Sequence, residues 1–457
     1  MNAPTDTICA IATPPGMGGV GIVRVSGPEA FAIAALLFQG THPLEKVRAL
    51  RFGAFRDPAT GEVLDEGFLL AMPAPKSYTA EDVVEFHAHG SPSLLSRLIE
   101  ALTVQGAKIA CPGEFTYRAF MNGRLDLVQA EAVQVLVASQ GDAARREALR
   151  QLTGGLASHL EPIETSLQDL LVKVEARLEF PEEGIPEIDR EAFGTQLAET
   201  GESLLDLVES YRKGRVLSDG LKVAIVGPPN AGKSSLLNTL LGRERAIVTP
   251  HPGTTRDVVE GETLVGGAKV RFYDTAGLRA AAQEIEIEGI RRSRQVIVEA
   301  DVVLWMVDAS DPGPGIQESY AALLPEDRTW YLFNKVDLLH DPEAWKKEMG
   351  LLSDGRCIPV SCKTGLGMDL VAEVVEAAVG RALSGEDVAL LSARHKAEAE
   401  EAVRCIAKAG QHMQEGRSLE LWAEELKAAA RAVGRIRGRN LPETAFQEIF
   451  ERFCIGK

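Results

Sequence analysis

Gly227-Pro228-Pro229-Asn230-Ala231-Gly232-Lys233-Ser234 combines residue types that can wrap a diphosphate. Two glycines let backbone N–H groups converge on the phosphates, Lys233 supplies a point charge to the outer ones, and Ser234 offers a hydroxyl to Mg²⁺. The run follows apolar Val223–Val226, which reads as a buried strand, and precedes Leu236-Leu237-Asn238, which reads as a helix start. A structural turn could carry the same letters, so the later residues matter. Asp274-Thr275-Ala276-Gly277 follows the strand-like Val270–Tyr273; there an aspartate can hold Mg²⁺ through water and a glycine N–H can sense a terminal phosphate. Asn334-Lys335-Val336-Asp337 closes another strand, Trp330–Phe333. Guanine presents a ring N–H and an exocyclic amine side by side, a pair that the Asp337 carboxylate can accept and that adenine lacks. Ser361-Cys362-Lys363 suits a loop that caps the base. The four elements in this order point to GTP.

Such motifs need a parallel sheet wrapped by helices, and residues 219–383 alternate strands and helices in that way. Residues 1–121 mix short apolar runs and turns with helix-like stretches at Glu29–Phe38 and Leu94–Leu102, which predicts an α+β domain. Residues 122–218 are rich in Ala and Leu at helical spacing, and helical periodicity resumes over 384–457, where Leu419, Trp422, Leu426, Ala429, Val433 and Ile436 form one apolar stripe. The expected architecture is a helical domain split in sequence, with the Ras-like nucleotide domain inserted between its halves. An insertion has two chain connections through which nucleotide-dependent movement can act.

The chain has 457 residues, enough for about three domains. No apolar stretch approaches the roughly 18 residues of a membrane span, and the N-terminus lacks signal-peptide character, so a cytoplasmic protein without a membrane partner is expected. Six cysteines without metal spacing suggest reduced thiols. A formal charge of −17 excludes a generally basic nucleic-acid binder. Arg431, Arg435, Arg437 and Arg439 make the densest positive cluster, equally a solvated helix face or a local RNA patch.

Further markers are Ala12-Thr13-Pro14-Pro15-Gly16, Gly18 to Gly27, Tyr78-Thr79-Ala80-Glu81-Asp82, Pro112-Gly113-Glu114-Phe115, Gly253-Thr254-Thr255-Arg256-Asp257 and the terminal Cys454-Ile455-Gly456-Lys457. With the nucleotide motifs, these resemble the MnmE (TrmE) family of tRNA-modifying GTPases over the whole chain. The resemblance implies a homodimer that works with MnmG (GidA), an FAD-dependent protein. Together they would install an aminomethyl or carboxymethylaminomethyl group on carbon five of the wobble uridine of certain tRNAs. A tetrahydrofolate derivative, 5-formyl or methylene, would donate the carbon. It places the folate in the N-terminal, dimerising domain, with Arg24, Glu81, Arg124 and Lys457 on the matching positions; a carboxylate such as Glu81 can pair with the amino-pyrimidinone edge of a pterin. Arg124 stands where some relatives carry lysine, and Ser91 follows His89-Gly90 where a second glycine is usual.

Leu278 occupies the position after the DxxG glycine where many GTPases orient water with glutamine. By resemblance, K⁺ near the β- and γ-phosphates supplies positive charge, with Asn230, Thr249, His251 (through its backbone carbonyl) and Thr254 around it and hydrolysis promoted by pairing of two GTPase domains. The loop also carries Pro250, Pro252 and Gly253. Thr255 aligns with the switch threonine that joins Ser234 on Mg²⁺, and Glu286 with the catalytic glutamate; Ala231, Gly232 and Ser235 complete the phosphate loop. Cys454 is either a thiolate nucleophile or a packed anchor for the tail. A ribosome-assembly switch would share the nucleotide motifs, but the N-terminal domain and the terminal tetrapeptide separate the two readings.

Overall fold

Alternation of side chains across an extended chain decides which face of the N-terminal sheet is buried. In β2 (Gly18–Ser26) Val23 and Val25 are fully buried while Ile22 and Arg24 point to the other face. β1 (Ile8–Ile11), β2, β3 (Phe38–Gly40), β4 (Ala49–Arg56), β5 (Val63–Met72), β6 (Val83–Gly90) and β7 (Lys108–Ile109) form one sheet in the order β3-β4-β5-β6-β2-β1-β7. Helices α1 (Ala30–Leu37) and α2 (Pro92–Val104) cover one face, and Leu37, Leu98 and Leu102 pack on Val23, Leu69 and Phe86. Burying each such side chain stabilises the fold by about 1.5–3 kcal/mol. Helix α3 (Glu114–Met121), which the apolar pattern did not announce, sets Phe115 against Ile8 and Ala10 on the opposite face.

The computed structural model describes residues 6–40, 47–180, 186–243, 261–274, 296–311, 324–341, 355–385, 388–451 and 453–456. After α3 the chain runs through α4 (Leu127–Ala138), α5 (Asp142–Leu152), α6 (Gly155–Glu179) and α7 (Arg190–Asp219). The α/β part follows. β8 (Leu221–Val226), β9 (Gly261–Val265), β10 (Ala268–Asp274), β11 (Val302–Asp308), β12 (Thr329–Asn334) and β13 (Cys357–Pro359) stand in the order β13-β12-β11-β8-β10-β9. Every pair is parallel except β9 with β10. Strands buried on both faces explain the continuous apolar runs, such as Val302–Met306, that the sequence shows there. Helices α8 (Lys233–Arg243) and α9 (Met368–Leu383) pack on this sheet.

Helices α10 (Ala393–Gln414), α11 (Leu419–Ile436) and α12 (Glu443–Phe450) end the chain. The apolar stripe of α11 buries Trp422, Leu426, Ala429, Val433 and Ile436, and α11 packs against α6. By internal contacts the chain forms two compact units, one of Met1–Val137, Arg150–Leu204 and Glu398–Lys457, the other of Ala138–Leu149 and Leu205–Ala397. Among the described residues no helix is long and apolar enough to cross a membrane.

Candidate functional site

The phosphate loop sits where β8 turns into α8, so backbone N–H groups at the helix start face outward, an arrangement suited to anions. Its bends demand unusual backbone. Gly232 has φ +102°, and a Cβ there would lie 2.2 Å from Asn334 Nδ2. Asn230 adopts φ 63°, a left-handed value that asparagine tolerates better than most residues. Lys233 is 7% exposed and its Nζ donates to the carbonyls of Gly227 (3.0 Å) and Pro228 (2.9 Å), the loop it would leave to reach a phosphate. Ser234 and Ser235 are exposed at the first turn of α8.

The residues expected to read a base converge from three segments. Asn334, ending β12, donates from Nδ2 to the Ala231 carbonyl at 2.7 Å and accepts the Cys362 N–H at 3.1 Å, which ties the phosphate loop to the Ser361–Lys363 loop. Asp337 accepts a 2.6 Å bond from Ser361 Oγ, so one carboxylate oxygen is fixed and the group is held for a bidentate donor edge. Lys335, at φ 67°, forms an ion pair with Asp308 at the end of β11. The Lys335 bond is one cause holding the Asp308 carboxyl below its ordinary range, although burial works the other way. Burial pushes the Cys362 thiol up to about 11, so this cysteine contributes its backbone N–H. Lys363 is exposed beside it. Asp274 closes β10 next to β8. Thr249, Pro250, His251, Pro252, Gly253, Thr254, Thr255, Thr275, Ala276, Gly277 and Glu286 lie outside the described residues.

A second cluster forms on the N-terminal sheet. Arg24 faces Glu85 across the β2–β6 register and donates from Nε to Glu85 Oε1 at 2.8 Å. Its Nη1 donates to the Gly456 carbonyl at 3.3 Å, so the terminal tail reaches this site. Gly456 has φ +89°, and a Cβ there would meet Ile11 O at 2.3 Å; Gly113 N–H donates to Cys454 O at 3.4 Å. Tyr78 lies between two guanidinium groups, with Arg24 Cζ 5.2 Å and Arg124 Cζ 5.1 Å from its ring centre. Arg124 also donates to the Tyr78 carbonyl at 2.7 Å. Glu81, 12% exposed, accepts from Ser26 Oγ at 2.7 Å. The structure therefore brings Arg24, Glu81, Arg124 and the tail onto one side of the sheet, with Cys454 exposed; Lys457 lies outside the described residues.

Glu85, Arg118 and Tyr78 carry much of this geometry, and sequence spacing did not single them out for the site. Only Glu114 and Arg118, four apart on one helix, left a local signal. The C-terminal arginines are resolved differently. Arg435 pairs with Glu398, Arg437 with Glu164, and Arg439 with the same Glu164, so three of the four are matched by carboxylates.

A mostly parallel sheet with a phosphate loop after its β8 strand, and an NKxD segment locked to that loop, defines a P-loop GTPase domain. Comparisons extend this to the whole chain. Residues 7–124 match the family model described as GTP-binding protein TrmE N-terminus, and residues 127–454 match the MnmE helical domain. The "tRNA modification GTPase MnmE" of Thermus thermophilus is 41% identical over 457 residues, covering 99% of both chains. The protein of the same description from Moorella thermoacetica is 43% identical over 469 residues, again covering 99% of each. The FeoB G-domain from Methanococcus jannaschii covers 35% of this chain and 97% of its own, at 22% identity and a TM-score of 0.24. The chain belongs to the MnmE (TrmE) family.

Proposed function

We propose that this chain is a GTP-hydrolysing enzyme of tRNA modification. With the FAD-dependent MnmG it adds an aminomethyl or carboxymethylaminomethyl group to carbon five of the wobble uridine of certain tRNAs, taking the carbon from a tetrahydrofolate. The observation that carries this reading is the presence, in one chain similar to MnmE along its full length, of two separate constellations: the Asn334–Ala231–Cys362 lock with Asp337, and the Arg24–Glu81–Arg124 cluster with the tail.

In the nucleotide site, backbone N–H groups of 230–235 bind the phosphates, Lys233 moves off its own loop carbonyls onto the outer phosphates, and Asp337 accepts the guanine donors. Exposed Ser234 fits Mg²⁺, and exposed Asn230, held at a left-handed turn, offers a side-chain oxygen that suits K⁺. Thr255 would join Ser234, and Thr249, His251 and Thr254 would join Asn230. When bound, the two cations neutralise charge that develops on the triphosphate. Glu286 orients the attacking water.

In the N-terminal site, Glu81 meets the donor edge of the pterin while Arg24, Arg124 and Lys457 face the acidic or formyl end. The exposed Phe52–Phe68 pair, 5.3 Å apart on β4 and β5 beside exposed Leu50, supplies an apolar face for homodimerisation. Cys454 serves either as a nucleophile or as an anchor; a Cys454→Ser variant that modifies tRNA fully would exclude the covalent role.

Mass analysis of tRNA nucleosides from cells lacking the protein tests the function: loss of the modified wobble uridine is expected, and an unchanged nucleoside profile contradicts it. The mechanism is tested by measuring GTP hydrolysis in potassium and sodium chloride at equal ionic strength. Much faster turnover in potassium is expected; equal rates would remove K⁺ from the account.

A further inference from the structure

Arg118 is a buried charge that the reading above leaves without a task. Its side chain, on α3, is 0% exposed, and it gathers three carboxylates from three segments of the chain. Nη2 donates to Asp6 Oδ1 and to Glu114 Oε1, both at 2.8 Å. Nη1 donates to the Asp6 carbonyl at 2.8 Å and lies 3.4 and 3.5 Å from the two oxygens of Glu81. Nε is buried with no hydrogen-bond partner among the described residues. Burial acts to depress the guanidinium, but the Glu114 bond and the Glu81 charge hold its pKa above the ordinary value.

Three carboxylates on one guanidinium leave an excess of acceptors, and the shortfall falls on Glu81. Asp6 and Glu114 take the 2.8 Å bonds, and Asp6 also pairs with Lys108. Glu81 keeps one short bond, from Ser26 Oγ, and two long contacts. An ionised carboxylate has about four acceptor sites, so Glu81 retains capacity, and its 12% exposure gives an opening to use it. Arg24 pairs with Glu85 and Arg124 donates one N–H to the Tyr78 carbonyl, so among the described residues neither fills the remaining sites on Glu81. What would complete the cluster is a neutral group with paired N–H donors.

We propose that Arg118 is a positioning residue that sets selectivity for a 2-amino-4-oxo pteridine edge. Its near-equal contacts to the two Glu81 oxygens, 3.4 and 3.5 Å, hold that carboxylate at a fixed angle, so that the ring N–H and the 2-amino group become the partners of its remaining acceptor sites. This rests on the folate reading, in which Glu81 meets the pterin. A salt link that only tied α3 to the sheet would stabilise the fold without distinguishing one ligand edge from another.

Calorimetric titration of the full chain with 5-formyltetrahydrofolate and with its 2-desamino-2-methyl analogue separates the two roles. The wild type should prefer the amino compound by about tenfold or more, the worth of one hydrogen bond to a charged group. Arg118→Met should reduce that preference towards unity. In a Glu81→Ala background, where the preference is already lost, Arg118→Met should cause no further change. Retention of the preference by Arg118→Met, or an equal loss of affinity for both ligands with and without the Glu81 carboxylate, would overturn the proposal. If the methionine variant does not fold, Arg118→Lys carries the test, because it keeps the charge and loses the planar fork; an undiminished preference there is equally fatal. A wild type that binds neither compound overturns the folate reading, and this inference with it.

Discussion

The nucleotide loop and the N-terminal cluster place charge by opposite means. In the loop the groups proposed to bind are mainly backbone N–H dipoles, and Lys233 rests on backbone carbonyls 5 and 6 residues away. In the N-terminal cluster the groups are side chains fixed by other side chains: Arg24 by Glu85, 61 residues away, and Glu81 by Arg118 and Ser26. Phosphates accept wherever N–H groups converge, so a short run of glycines and small residues suffices. A ligand with donors at one end and acidic groups at the other needs carboxylate and guanidinium held apart at fixed angles, and buried counter-ions achieve that. The loop should therefore be sensitive to its own few residues, and the cluster to the partners of its residues.

Lys233→Ala is the strongest test of the first half. Hydrolysis should fall on the order of 10³-fold, as when a preorganised charge is removed from a developing anion, measured by phosphate release at saturating GTP. A small loss would mean that the N–H groups alone neutralise the triphosphate. Next comes Asp337→Asn, which exchanges two acceptors for one acceptor and one donor. GTP affinity should drop roughly 10²-fold while xanthosine triphosphate, with a carbonyl where guanine has its amine, gains, as read by competition with a fluorescent nucleotide.

Gly456→Ala probes the tail of the second half. The positive φ and the 2.3 Å approach to Ile11 O leave no room for a methyl group, so the local cost should be about 1–3 kcal/mol. Amide exchange at Cys454 to Gly456 should accelerate with little change in Tm; unchanged exchange would show that Arg24 does not hold the tail. The smallest effect concerns pH. Burial raises the Glu85 pKa, yet the His87 bond and the Arg24 charge outweigh it and leave the carboxyl below its ordinary value of 4.5. A depressed folded-state pKa contributes stability that is present above the ordinary value and lost as pH falls through the folded one. The stability difference between wild type and Glu85→Gln should thus be constant near neutrality and shrink below about pH 4.5; a difference that grows on acidification would reverse the sign of the Arg24–Glu85 interaction.

The strands that carry chemistry were legible because each is a continuous or alternating apolar run: Val223–Val226 lies inside β8, Trp330–Phe333 inside β12, Val270–Tyr273 inside β10. The stripe of α11 was legible for the same reason. Helix α3 was not, since eight residues mixing Glu114, Arg118 and aromatic side chains show no long period. The arginines near residue 435 illustrate a further limit. Their charges are plain in the sequence, but the carboxylates that neutralise them come from α6 and α10.

Local order in the chain was enough to define a phosphate loop, a guanine-reading segment and alternating strands and helices, because those features depend on neighbours within a few residues and on burial of an apolar face. Tertiary structure alone decided that Asn334 closes on Ala231, that Arg24 meets Glu85 and Gly456, and that Arg118 lies buried among Asp6, Glu81 and Glu114. Charges and hydrogen-bonding groups act over a few ångströms of space irrespective of their separation along the chain, so their pairing exists only once the sheet register and the helix packing have been set.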